Sequence, residues 1–107
     1  MDIKLHYFLK LDFNKNRPLV VWGAGTKGKT IAQSLIDAQI DFTWICNNAN
    51  KIGKTIYGVE MMHYEFLKQM KTPQSIITVA NEEAQKTIKA YLLRLGQKHM
   101  EDYFFFC

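Results

Sequence analysis

Leu19-Val20-Val21-Trp22 is apolar at four consecutive positions, as a central parallel strand with both faces covered must be. It follows the polar turn Asn14-Lys15-Asn16-Arg17-Pro18, whose closing proline punctuates the chain. From Lys27 onward Ile31, Ala32, Leu35 and Ile36 recur at helical spacing and mark one stripe of an amphipathic helix. Residues 40–46, with Phe42, Trp44 and Ile45, return to a β-rich composition until Asn47-Asn48-Ala49-Asn50 stops them. Gly53 and Gly58 bracket a loop, Ile56-Tyr57 and Val59-Glu60-Met61 supply a short edge strand, and residues 64–70 read as a short helix carrying Phe66, Leu67 and Met70. After Thr72-Pro73-Gln74, residues 75–80 form another near-continuous apolar strand. Asn81 is a good N-cap, with Glu82 and Glu83 in the first turn, where acids suit the helix dipole. Ala84, Ile88, Tyr91, Leu92 and Leu95 stripe one face of that helix until Gly96 ends it. Residues 102–106, Asp-Tyr-Phe-Phe-Phe, are the last strand. The first stretch, with Ile3, Leu5, Tyr7, Phe8, Leu9, Leu11 and Phe13, fits helix and strand spacings about equally and is read with a leaning to helix.

Strands that alternate with helices require right-handed crossovers and a parallel sheet. The expected fold is a single Rossmann-like α/β domain, a parallel sheet of four to five strands in the order 3-2-1-4-5 with helices on both faces. Its span is taken as residues 18–107, with residues 1–17 as an N-terminal segment or linker. A chain of 107 residues has room for one such domain and not for two.

Charge and cysteine content change the picture little. The net charge of +4 is scattered rather than gathered into the basic stripe of nucleic-acid binders, so it favours a small anionic ligand and no nucleic acid. No apolar run approaches the ~20 residues of a membrane helix, and residues 1–5 do not resemble a signal peptide. Cys46 and Cys107 lack C-x-x-C spacing and fall in strand-like segments, so both are expected to be buried small hydrophobes in a reducing, cytoplasmic setting.

Candidate chemistry concentrates in Gly23-Ala24-Gly25-Thr26-Lys27-Gly28, a G-x-G-x-x-G turn between a strand and an amphipathic helix. There Gly23 permits the tight turn, Gly25 lets backbone approach a pyrophosphate, and Gly28 lets the helix pack closely. Free amides at the helix start meet the negative charge. Extended through Lys29-Thr30, the same run satisfies the Walker A pattern, but no Walker B acid ends an apolar strand. A dinucleotide dehydrogenase places an acid about 20 residues beyond the turn to hold the ribose; here stand Asn47 and Asn48, neutral partners that weaken the case for NAD(P). Lys27, Lys29, Lys51 and Lys54 are placed near the carboxyl ends of the strands, where they favour a phosphate or simply solvate the surface. His6, His63 and His99 are dispersed without ligand spacing, no metal site is expected, and the aromatic residues Trp22, Trp44 and Tyr103 to Phe106 are assigned to the core.

The runs Val20 to Gly28, Phe42 to Asn48, Lys51-Ile52-Gly53-Lys54 and Ile56-Tyr57-Gly58-Val59 together resemble a domain appended to the C-terminus of bacterial family 2 glycosyltransferases. They are also similar to the domain preceding the acyltransferase region of bacterial sugar acetyltransferases. The resemblance implies an accessory domain, not catalytic by itself, that binds a nucleotide or nucleotide-sugar through Gly23, Ala24, Gly25, Thr26, Lys27, Gly28, Asn47 and Asn48. Its partner would then be the catalytic domain of a longer parent protein in polysaccharide biosynthesis. Two other classes stay open: an NAD(P)-binding domain of an oxidoreductase, and a structural or homodimerising module whose glycine turn is packed shut.

Overall fold

Strand β1, Leu19–Trp22, sends Leu19 and Val21 to one hydrophobic cluster and Val20 and Trp22 to another, because successive side chains leave a strand on opposite faces. Both clusters are buried, which explains why the strand is apolar throughout. A computed structural model describes residues 2–107. Chain order continues with α2 Thr26–Asp37, preceded at the start by α1 Ile3–Leu11, then β2 Thr43–Cys46, β3 Thr55–Ile56 and β4 Val59–His63. A 3₁₀ helix over Tyr64–Gln69, β5 Gln74–Ile77, α3 Glu82–Arg94 and β6 Tyr103–Phe105 complete it.

The sheet runs β3-β4-β2-β1-β5-β6, and every pairing except β3 with β4 is parallel. Numbered without β3, the five parallel strands follow the expected order 3-2-1-4-5. The sixth strand is a two-residue addition to the edge. Tyr57 and Gly58, both at positive φ of 54° and 79°, turn the chain between β3 and β4, as the tight hairpin turn that matches strand twist requires. The expected edge segment is thus a hairpin whose second arm pairs with β2.

The helices divide between the faces. Ile31, Ala32 and Leu35 of α2 join Trp44, Met61 and Ile76 under one face, while Ile88, Tyr91 and Leu92 of α3 cover the other. The N-cap expected at Asn81 is made: its side chain accepts the amide of Ala84 at 2.9 Å. Residues 3–11 form helix α1, and its Leu5 and Phe8 are buried against the first face. Phe8 meets the Phe104 ring edge-on at 4.9 Å. Strand ends come out shorter than the apolar runs suggest: Ile40 and Phe42 pack beside the core ahead of β2, and Thr78 to Ala80 lie past β5 as loop.

One polar side chain holds the amino end of the sheet. Gln74 is buried; its Oε1 accepts from the Asn14 amide at 3.0 Å, and its Nε2 donates to the carbonyls of Asn14 at 2.5 Å and Arg17 at 2.9 Å. Substituting methionine keeps the volume but leaves these backbone groups without partners, so Gln74→Met is expected to cost about 2 kcal/mol. Thermal denaturation should show this as a Tm lower by roughly 10 °C; an unchanged Tm would mean that water serves the same groups equally well.

Candidate functional site

The polypeptide leaves β1 through Gly23, whose φ of +124° is open to glycine and strained for other residues. A Cβ there would stand 2.3 Å from Thr78 Oγ1. Gly28 is tighter still, with a Cβ at 2.1 Å from the Gly23 carbonyl oxygen. That carbonyl also accepts the indole N–H of the fully buried Trp44 at 2.6 Å. Thr78 closes the other side, donating both its amide and its hydroxyl to the Trp22 carbonyl, each at 2.9 Å. Gly23 and Gly28 are therefore packing glycines.

Gly25 differs. It is the N-cap of α2 with extended backbone at φ −82°, and nothing lies within 4 Å of the Cβ it lacks. The amides of Thr26, Lys27 and Gly28 at the start of α2 have no intrahelical acceptor and make no hydrogen bond among the described residues, the first being that of Lys29 to the Gly25 carbonyl at 2.9 Å. No acidic residue sits in that turn, so the positive end of the helix dipole is uncompensated there.

Beside the turn lies a cavity of about 400 Å³, within the range of small-molecule sites. Trp22, Gly23 and Ala24 line it from the end of β1, Cys46, Asn47 and Asn48 from the end of β2, and Val79 from the loop after β5. Tyr64 and one face of α3 form the remaining wall. It opens at the carboxyl ends of the strands, where the chain order reverses between β1 and β5, the place at which open α/β sheets hold ligands.

The eight residues singled out from the sequence are partly brought together. Gly23, Ala24, Asn47 and Asn48 line the cavity; Gly25, Thr26, Lys27 and Gly28 form the adjacent helix start. Asn48 is committed to its own loop, its Oδ1 accepting the Asn50 amide at 2.9 Å, which leaves Asn47 as the amide with a free side chain among the described residues. The lysines are not gathered at the cavity. Lys27 pairs with Asp2 at 2.5 Å, and the hydrogen bond from its ammonium holds the Asp2 carboxyl below the usual range. Lys51 donates to the Ala24 carbonyl at 2.7 Å, which brings one ammonium to the turn. Lys29 lines a separate shallow groove with Thr26 and Thr30, and the Thr30 hydroxyl bonds back to the Thr26 carbonyl at 3.0 Å. A Walker-type Thr30 would instead present that hydroxyl to a metal.

Two assignments from the sequence need correcting. Cys46 is buried as expected, but Cys107 is exposed, since the chain leaves β6 before reaching it. Trp22 is a core residue and also a cavity wall, because it is the last residue of β1. Sequence reasoning also missed Tyr64, Tyr91 and Arg94. Tyr91 lies in the apolar stripe of α3 and reads as plain core, yet its hydroxyl is buried without a partner. Burial pushes its phenol up from the ordinary value, so it remains a neutral O–H. Arg94 is the one charged residue lining the cavity among the described residues. Among the described residues no three His, Cys, Asp or Glu side chains come together as a metal site, and no helix is long and apolar enough to cross a membrane.

Comparison with known proteins places this geometry. The fold is similar to that of UDP-D-quinovosamine 4-dehydrogenase from Vibrio fischeri, with a TM-score of 0.62 and 19% identity over 74% of this chain and 71% of that one. It is similar as well to RSP, a Rex-family repressor, at TM-score 0.65 and 21% identity over 97% of this chain. The complex of RSP with β-NADH matches at TM-score 0.63 and 23% identity over 84% of this chain. The chain spans about half the length of these repressor chains, 52% and 45%. No curated protein matches it. The resemblance to glycosyltransferase and sugar-acetyltransferase domains, with its assignment to polysaccharide biosynthesis, is overturned, because the family model that matches is another one. A G-x-G-x-x-G turn between strand and helix is common to many Rossmann-like families and does not separate them. The model of the CoA binding domain matches residues 14–96, most of the chain including the turn, the cavity and α3, and the protein belongs to that family.

Proposed function

We propose that this domain binds the ADP portion of an adenine coenzyme, coenzyme A in the first instance, with the diphosphate at Gly25 and the amino end of α2. The observation that supports it above others is the contrast among the three glycines. Two are required by packing, whereas Gly25 has empty space where a side chain would be and ordinary backbone angles. Neither fold nor packing calls for glycine there, and close approach of a ligand does.

The sugar and base then extend past Asn47 into the cavity. Among the described residues no carboxylate lines it, and the one charged group there is the cation of Arg94. The free ribose diol of NAD(H) is ordinarily held by an acid at the end of the second strand; here it meets only amides, with weaker neutral hydrogen bonds. A coenzyme bearing an extra phosphate on its ribose suits the charge of this site better.

Isothermal titration of the domain with CoA and, separately, NADH tests the reading. CoA is expected to bind and to raise Tm, by the equivalent of about 2.7 kcal/mol at a hundredfold excess over Kd. NADH is expected to bind more weakly. If neither binds at millimolar concentration, the coenzyme reading is wrong and the turn is a packing device. Binding of NADH in preference to CoA would keep the diphosphate site and reverse the choice of coenzyme.

A further inference from the structure

We infer that helix α1 is the contact surface for a second copy of this chain, the two helices packing antiparallel about a twofold axis beside Tyr7. Six of the nine residues of α1 are apolar, more than the side turned to the sheet can use. Leu5 and Phe8 are buried in the core, whereas Ile3, Tyr7 and Leu11 are 75%, 55% and 72% exposed. Spaced four apart, these three are neighbours along one ridge that the core does not cover, where a surface helix ordinarily carries polar residues.

The apolar surface continues beyond the helix. Met100, 61% exposed, lines with Tyr7 a groove of about 430 Å³ between α1 and β6. A contiguous patch of this kind marks an interaction site once it reaches a few hundred Å². It is small against the ~800 Å² per partner of a standard interface, which sets the expectation of a dimer that dissociates in the micromolar range. α1 packs on the first hydrophobic cluster, and the α3 wall of the cavity belongs to the second. The inference therefore stands apart from the coenzyme reading, and a dimer formed through α1 leaves the cavity open.

The ridge is self-complementary, which favours a second copy over any other occupant. Ile3 and Leu11 stand symmetrically on either side of Tyr7. An antiparallel copy sets Ile3 against Leu11 of the second copy and tyrosine beside tyrosine, as an isologous contact requires, and rows at i±4 are those that interdigitate in the commonest helix packing. The charges agree. Lys4 and Asp12 are exposed and in no ion pair among the described residues. About two turns apart, they do not meet within α1, but the twofold brings Lys4 of each copy near Asp12 of the other. A lipid surface has no use for that symmetry, and Asp12 opposes an anionic one.

Sedimentation equilibrium of the chain tests the assignment. The wild type is expected to dimerise reversibly, with a Tm that rises with protein concentration, because association stabilises the folded state by mass action. Tyr7→Glu places a charge at the centre of the contact and is expected to weaken association at least about a hundredfold, while its Tm at low concentration stays that of the wild type, since Tyr7 is outside the core. Cysteine cross-linking in a Cys107→Ser background checks the geometry: under mild oxidation, a mixture of Ile3→Cys and Leu11→Cys proteins should form a linked heterodimer faster than either protein links to itself. A wild type that stays monomeric at millimolar concentration would overturn the inference. So would a dimer that Tyr7→Glu leaves intact, or cross-linking confined to like pairs.

Discussion

Replacing Gly28 with alanine is expected to destabilise the domain by about 3 kcal/mol, the upper part of the range for forcing a methyl group into a filled core. At an ordinary position inside a helix the same change is favourable by roughly 0.5–1 kcal/mol, because glycine loses the most backbone entropy on folding. Gly28 is within α2 and reverses that sign. Its Cβ would stand 2.1 Å from the carbonyl oxygen of Gly23 and 2.7 Å from the carbonyl carbon, and these are backbone atoms that no rotamer change can move. The carbonyl is held in place by the Trp44 indole at 2.6 Å, and the Gly23 amide by the Ile45 carbonyl at 2.9 Å. Relief of the clash requires α2 to lift from the sheet, which opens the contacts of Ile31, Ala32 and Leu35, all completely buried. Chemical and thermal denaturation should agree on the loss, with Tm down by roughly 12–24 °C. A variant as stable as the wild type would show that the helix and the turn are not in contact as described.

Gly25→Val should do the opposite: leave the fold intact and remove coenzyme binding. The backbone of Gly25 is extended and no atom stands within 4 Å of the missing Cβ, so valine enters without strain. Stability should stay within about 1 kcal/mol of the wild type, the cost of valine as an N-cap residue being offset in part by a less flexible unfolded chain. The side chain would instead occupy the space over the first amides of α2 that the diphosphate is proposed to fill. Separating the phosphates from those amides by the width of an isopropyl group breaks several charge-assisted hydrogen bonds at once. An affinity for CoA at least about a hundredfold weaker is expected, equivalent to about 2.7 kcal/mol, measured by titration calorimetry on a protein of unchanged Tm. Undiminished affinity would place the diphosphate elsewhere. The two substitutions together form a crossed test: Gly28→Ala reports on the fold and Gly25→Val on the ligand.

Much of this was legible along the chain because it depends on neighbours in sequence. The strand-turn-helix at residues 19–37 announces itself by a continuous apolar run, a glycine cluster and a helical stripe, and the cap of α3 by Asn81 followed by two acids. Separate roles for the three glycines also follow from their spacing, and the packing around Gly23 and Gly28 agrees with them. Family membership was not legible. The motif that drew attention is shared across many Rossmann-like families, and the residues that give this site its character come from three separate elements.

What the sequence by itself determined is the alternation of strands and helices, the parallel sheet with two covered faces and the place of the glycine turn, since hydrophobic period and local backbone preference act over a few residues. Only the tertiary structure decided which groups meet at the site. It turned Lys27 toward Asp2 and Lys51 toward the Ala24 carbonyl, and placed Arg94 and Tyr91 at the cavity. A helical stripe marks a residue as inward-facing but is blind to whether the space it faces is packed or empty. That depends on the distance between α3, the 3₁₀ helix and the end of β1, elements far apart in the chain whose approach is set by the side chains between them.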